Sequence, residues 1–217
     1  MPELPPLPPA APGSFAGTLV RRRTVRDFAE RPITAEAAGQ LLWAAQGLVD
    51  GEHRTTPSAG GLYPLSVALT AGNVDGISPG VYHYEPTAHR LLCRSDEDPR
   101  GALRDAAIDD QPWLATAPAV LVLTADIDRA TDHFADQPPH GRRGERYAYI
   151  ETGHAAQNVY LQATALGLGT VLVGGFDETR LVTTIPALCP AGHRPTALLP
   201  VGHPAGPRSG GSPLDGR

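Results

Sequence analysis

Apolar positions at Ala38, Leu41, Leu42 and Ala45 recur at i, i+3, i+4 and i+7, the spacing of one helix face. Thr34 stands where an N-cap is needed and Gly47 where the helix should stop. A different period follows. Leu65, Val67 and Leu69 alternate with Ser66, Ala68 and Thr70, which predicts a half-buried strand. GVYHY and RLLCR flank EPTAH as the two arms of a hairpin, Asp98-Pro99 opens another helix, and AVLVL at 119–123 reads as a central strand. The stretch 126–146, rich in Pro, His and Asp, shows no period and reads as a loop. From Tyr147 to Leu166 the composition is helical, with apolar or small residues such as Ile150, Ala155, Ala156, Val159, Leu161 and Ala165 on every side. A helix without a charged face has no face for water, so this one is expected to run through the core or a subunit interface. Gly167 and Gly169 end it, TVLV at 170–173 predicts a buried strand, Gly174-Gly175 leave bare backbone at that strand's end, and Asp177 caps a further short helix. Helices and hairpins in mixed order predict an α+β fold.

The chain of 217 residues is long enough for one sizeable core, and nothing in the pattern marks a second domain. Residues 1–14, with six prolines between 2 and 13, are expected to form a flexible or extended arm, 15–208 a single domain and 209–217 a loose tail. Cys93 and Cys189 lie far apart and show no metal-ligand spacing. A net charge of −5, without a basic stripe, argues against nucleic acid. The long uncharged run 152–176 contains His154, Gln157, Asn158, Gln162 and five glycines, which a bilayer would penalise, so a soluble cytoplasmic protein is expected. No GxGxxG opens a helix after a strand, and neither a P-loop nor HExxH occurs.

Two segments carry candidate chemistry. In RRRTVRDF at 21–28, Arg22, Arg23 and Arg26 surround Thr24, and the chain has no lysine, so anion binding rests on guanidinium and backbone N–H groups. In PSAGGLYP at 57–64, Pro57 fixes φ, Ser58 offers a hydroxyl, and beyond Ala59 the pair Gly60-Gly61 lets main chain lie against a flat ligand. The pair reads as a phosphate grip and a ring platform.

These two segments, with LLWAAQGL, GVYHYEPTAHRL, RYAYIETGHAAQNVYLQATALGLGTVLVGGFD and LPVGHP, stand in the order and approximate spacing of the flavin-dependent nitroreductase superfamily. The chain most resembles its SagB-type branch, which includes azoline oxidases that turn thiazolines or oxazolines in peptides into azoles. The resemblance implies an entwined homodimer of α+β subunits, each with a central mixed sheet flanked by helices. It further implies one FMN in each of two interface sites, with PSAGGLYP of one chain meeting the flavin gripped by the other. Arg22, Arg23, Thr24, Arg26 and Arg208 are then expected at the phosphate. Pro57, Ser58, Ala59, Gly60 and Gly61 are expected at the ring, with the main chain of Val173, Gly174 and Gly175 facing flavin N5.

In that branch a Lys-Tyr pair is associated with proton removal from the substrate. The corresponding stretch here is Pro139-His140-Gly141, which holds neither residue. His140 is therefore the candidate base, its usual pKa near 6.5 suiting the task. The expected activity is a dehydrogenation of a natural-product or peptide substrate, with a biosynthetic partner enzyme as a candidate partner. An NAD(P)H-dependent nitro or quinone reductase is the first alternative, and a non-catalytic subunit of a modifying complex the second.

Overall fold

The computed structural model describes residues 10–206. In chain order the elements are α1 (Phe15–Arg21), β1 (Ile33–Thr34), α2 (Ala35–Gln46), β2 (Leu65–Ala71), β3 (Val74–Asp75), β4 (Gly80–Glu85), β5 (Arg90–Ser95), α3 (Arg100–Ala106), α4 (Trp113–Thr116), β6 (Ala119–Ala125), α5 (Ile127–His133), α6 (Arg143–Ala165), β7 (Gly169–Thr170), α7 (Glu178–Thr184) and β8 (Arg194–Gly202). Thr34 caps α2 by accepting from the Ala37 N–H, and Asp177 caps α7 by accepting from Arg180.

The central sheet has six strands in the order β5-β4-β2-β6-β8-β7. Its ladders are antiparallel, and its mixed character comes from a parallel bridge between Thr24 and Thr170 at the β7 edge. One face carries Leu65, Val67, Leu69, Leu121, Leu123 and Leu199 against α2 and α6. The other carries Ala68, Val120, Val122 and Leu198 against Leu103, Leu114 and Leu181 of α3, α4 and α7. The result is an α+β fold in three layers.

That third layer corrects one expectation. Ala68 and Thr70, placed on a solvent face by the alternation of β2, are buried, because α3, α4 and α7 cover the second side of the sheet. The segment 126–146 also differs from a plain loop. Asp126 accepts from the Arg129 N–H to start α5, whose sequence IDRATDH buries only Ile127 and Ala130 and so carries almost no periodic signal. TVLV does not continue as a strand beyond Thr170. Val173 alone rejoins β8, at Leu198, while the Leu172 N–H donates to the Tyr160 hydroxyl.

The long helix departs most from its sequence reading. It starts at Arg143, and its buried face of Ala148, Thr152, Ala155, Ala156, Val159 and Ala163 includes one carboxylate, Glu151. Val159 and Ala156 lie inside the chain's own core, at 0% and 2% exposure. The outer face instead shows Tyr149, Ile150, Gly153, His154 and Gln157 to solvent.

Two half-buried histidines link this fold to pH. His83 Nε2 bonds the Ala187 carbonyl at 2.9 Å, and His193 Nδ1 meets Thr124 Oγ1 at 3.2 Å. Burial lowers the pKa of both from 6.5, with positive charge from Arg94 near the first and from His83 and Arg129 near the second. The unfolded chain takes up these protons first as pH falls. Their contribution to stability is therefore complete above pH 6.5 and is lost as pH drops from there to the folded-state values. Chemical unfolding is expected to show lower stability at about pH 5.5 than at about pH 7.5, with a smaller difference in the His83→Gln/His193→Gln protein. Burial raises the Glu151 pKa from 4.5 and so acts in the opposite sense as pH falls toward 4.5. Comparing parent with double variant isolates the histidine part, and an unchanged difference would contradict it.

Candidate functional site

Arg22 follows α1 and donates its main-chain N–H to the Thr18 carbonyl. From Thr24 the chain runs along β7 and then beside the end of β8. Val25 donates to Thr170 O at 3.0 Å, Ala29 to His203 O at 2.9 Å, and Ala205 to Asp27 O at 2.9 Å. Gly169 permits this approach, since a Cβ there would sit 2.5 Å from the Val25 side chain. RRRTVRDF, the start of TVLVGG and LPVGHP thus form one locus within a single chain.

At that locus the guanidinium groups are held by aromatic faces. Arg22 lies over the Tyr160 ring at 5.3 Å and Arg26 over Trp113 at 5.8 Å. Arg23 folds back, donating to Val20 O and Arg22 O at 2.6 and 2.9 Å. Among the described residues no ion pair uses Arg22, Arg23 or Arg26. Two polar atoms beside them, Trp113 Nε1 and Thr170 Oγ1, are buried without a hydrogen-bond partner among the described residues. Three guanidinium groups and two polar atoms left without such partners among the described residues fit an anionic ligand that also hydrogen-bonds.

The same locus includes the glycine pair that follows. Val173 exchanges both main-chain bonds with Leu198, at 2.8 and 2.9 Å, and the chain leaves the sheet at Gly174, which is exposed. The Gly175 carbonyl accepts from the Ile108 N–H at 2.8 Å. Ile108, 57% exposed, forms an apolar wall over that backbone.

The platform is built separately. Ser58 Oγ and the Ala59 N–H both donate to Glu151 Oε1, at 3.0 and 2.8 Å, and the Tyr63 N–H donates to Ser58 Oγ at 2.7 Å. Pro57 is exposed, and Gly60 and Gly61 take φ of 60° and 65°, the left-handed region that a side chain would strain. A Cβ at Gly60 would lie 3.4 Å from His133 Nε2 and 3.5 Å from the Phe134 ring. Burial raises the Glu151 pKa, opposed by the Ala59 and Ser58 bonds and by the nearby His154.

One helix sets the distance between grip and platform. Glu151 holds the platform, while Tyr160 carries Arg22 on its ring and accepts from Leu172. Nine residues separate them, which is about 13 Å along α6 and about half a turn of rotation in net direction. The two half-sites of a single chain therefore face opposite sides of the helix. His140 sits in the exposed segment 135–142, which follows the buried Phe134, with Nδ1 3.1 Å from the Ala135 carbonyl. Arg208 lies outside the described residues.

Three residues of this arrangement carry no local sequence signal. Tyr160 and Trp113 look like ordinary core aromatics, and His133 is one histidine among eight. Glu151 had the clearest available trace, as the one acidic residue between Tyr147 and Leu166.

The nitroreductase family model matches residues 19–203. MJ1384 of Methanocaldococcus jannaschii, which carries a nitroreductase name, is 40% identical over 187 residues, covering 85% of this chain and 88% of that protein. The Escherichia coli microcin B17-processing protein McbC is 28% identical over 136 residues, covering 61% of this chain and 48% of McbC. A solved structure from Ralstonia eutropha JMP134, also named as a nitroreductase, superposes with a TM-score of 0.73 at 26% identity, covering 94% of this chain and 89% of that one. No helix among the described residues is long and apolar enough to cross a membrane. A family match across nearly all of the described residues, joined to 40% identity with a relative of similar extent, places this chain in the nitroreductase family of oxidoreductases, whose members generally bind flavin.

Proposed function

We propose that the chain binds FMN and works as a flavin-dependent dehydrogenase or oxidase on a peptide or other natural-product substrate, of the thiazoline or oxazoline to azole type. The observation that carries the reading is the set of guanidinium groups without ion-pair partners among the described residues, set beside the exposed backbone of Gly174. Arg22, Arg26 and Thr24 take the phosphate, joined by Arg23 once it swings off the Val20 and Arg22 carbonyls and by Arg208. Gly174 and Gly175, following Val173, present main chain to one side of the ring, and Pro57, Ser58, Ala59, Gly60 and Gly61 present it from another. Bound FMN supplies a ring that accepts or gives up hydride, and the protein positions it.

The half-sites on opposite sides of α6 favour a homodimer, in which the platform of one protomer closes the grip of its partner. Apolar exposure supports that assembly. Phe15 is 68% exposed and Val20 61%, and α1, α2 and α6 border a 390 Å³ groove lined by Phe15, Trp43, Asn158 and Leu161. A partner modifying enzyme and a cytoplasmic site of action belong to the same reading.

Proton removal falls to His140. A carbonyl only accepts, so its Nδ1 carries the hydrogen bonded to Ala135 O, and Nε2 keeps a lone pair for a substrate proton. The similarity to McbC supports the peptide substrate. A second reading, an NAD(P)H-dependent nitro or quinone reductase, is favoured by the fuller match to MJ1384.

Anaerobic mixing of the FMN-loaded protein with an azoline-containing peptide, and separately with NAD(P)H, distinguishes the two. Bleaching of the flavin band by the peptide supports the dehydrogenase, whereas rapid bleaching by NAD(P)H alone supports the reductase. His140→Ala is expected to slow the peptide reaction by about 100-fold or more with FMN retained. A rate within about threefold of the parent would leave His140 without that role.

A further inference from the structure

Glu151 stands out because its placement is costly. It is 4% exposed, it is the one ionisable residue on the buried face of α6, and none of the ion pairs between described residues includes it. A buried carboxylate outside any ion pair is tolerated only where hydrogen bonds replace its hydration. Here both bonds come from one short segment and converge on one oxygen: Ser58 Oγ–H at 3.0 Å and Ala59 N–H at 2.8 Å. Ser58 Oγ in turn accepts from Tyr63 N–H at 2.7 Å, so the entrance and the exit of the glycine turn are tied to one side chain 92 residues further along the chain.

The turn needs such a tie. Gly60 and Gly61 both adopt positive φ, and glycine has the most backbone freedom to lose on ordering. Two main-chain bonds inside the turn, Gly61 N–H to Ser58 O at 3.1 Å and Leu62 N–H to Ala59 O at 3.2 Å, set its curvature but not its orientation on the protein. Orientation comes from α6 through Glu151 at the entrance, with Arg129 of α5 donating to the Leu62 carbonyl at 3.1 Å at the exit. Since Tyr160 of α6 also supports Arg22, a rigid spine links the ring platform to the phosphate grip.

We infer that Glu151 is the positioning residue of the ring platform, its carboxylate oxygen fixing the Ser58–Gly61 turn in the orientation that receives the flat part of the ligand. This rests on the FMN reading above for the identity of the ligand, while the ordering of the turn stands without it. A glutamine offers the same carbonyl-type acceptor to both donors, so Glu151→Gln should preserve the turn. Alanine removes the acceptor.

The test measures amide hydrogen exchange of the flavin-free protein and its titration with FMN, for the parent, Glu151→Gln, Glu151→Ala and Ser58→Ala. Exchange should accelerate at Ala59 to Tyr63 in the two alanine variants, with protection across β2, β6 and the rest of α6 kept. Glu151→Gln should exchange like the parent. FMN affinity is expected to fall about tenfold or more in Glu151→Ala, the scale of losing charge-assisted hydrogen bonds, and to stay within about threefold of the parent in Glu151→Gln. Unchanged exchange at Ala59 in Ser58→Ala and Glu151→Ala would overturn the inference, as would a Glu151→Gln protein as impaired as the alanine variant. If the parent binds no FMN, the ligand assignment fails while the exchange result still decides the positioning role.

Discussion

Protein carrying Arg22→Ala and Arg26→Ala together is expected to emerge colourless and to bind FMN at least about 100-fold more weakly than the parent, since each charge-assisted hydrogen bond to phosphate is worth roughly 1.5–3 kcal/mol. The guanidinium groups are well placed for this. Each rests on an aromatic face, over Tyr160 and Trp113, which limits its rotamers without neutralising its charge. Arg23 is the weaker contributor, because a ligand must first displace its bonds to Val20 O and Arg22 O. Riboflavin, which lacks the phosphate, is the control. Its affinity should change little in the double variant, whereas an equal loss for both ligands would mean that the locus had been damaged rather than discharged. Stoichiometric FMN retained by the double variant would remove the phosphate assignment.

Arginine at two positions of α6 is expected to give opposite outcomes. Val159 is fully buried, so Val159→Arg places an unpaired charge in the core at a cost of several kcal/mol, comparable with the whole stability of about 5–15 kcal/mol of an ordinary domain. That variant should be insoluble or unfolded. Gly153 is exposed, and a Cβ there meets nothing within 4 Å, so Gly153→Arg should leave the protomer folded. If the outer face of α6 forms the seam of the proposed dimer, Gly153→Arg converts it to monomer and lowers FMN affinity with it. Sedimentation and circular dichroism on both proteins check this. A folded Val159→Arg protein would contradict the core placement, and a Gly153→Arg dimer with full FMN affinity would contradict the seam.

Much of the fold was legible because its signals are local. Thr34 and Asp177 cap as their sequence positions imply, the hairpin of β4 and β5 forms around EPTAH, and β6 is the buried central strand that AVLVL suggests. What escaped is long-range. The burial of Ala68 and Thr70 depends on helices that arrive later in the chain, and α5 is too short to show a period. The candidate site divides in the same way. Clustered arginines and paired glycines are visible wherever they occur, but the partner of Ser58 lies 93 residues away on a helix whose composition reads as uncharged. That composition left core and subunit interface both open for Val159, whose face of α6 packs on the sheet of its own chain. Tyr160 and Trp113 became part of the site only through the rings they place under Arg22 and Arg26.

The central claim is that this chain holds FMN between the Arg22–Arg26 grip and a glycine platform. The most direct measurement is a titration of flavin-free protein with FMN, followed by the absorbance and fluorescence of the bound flavin, with the mass of the loaded species determined in the same sample. Saturable binding of one FMN per chain on a species of twice the chain mass is expected, with riboflavin bound far more weakly. Absence of saturable binding, or equal affinity for riboflavin and FMN, would contradict it.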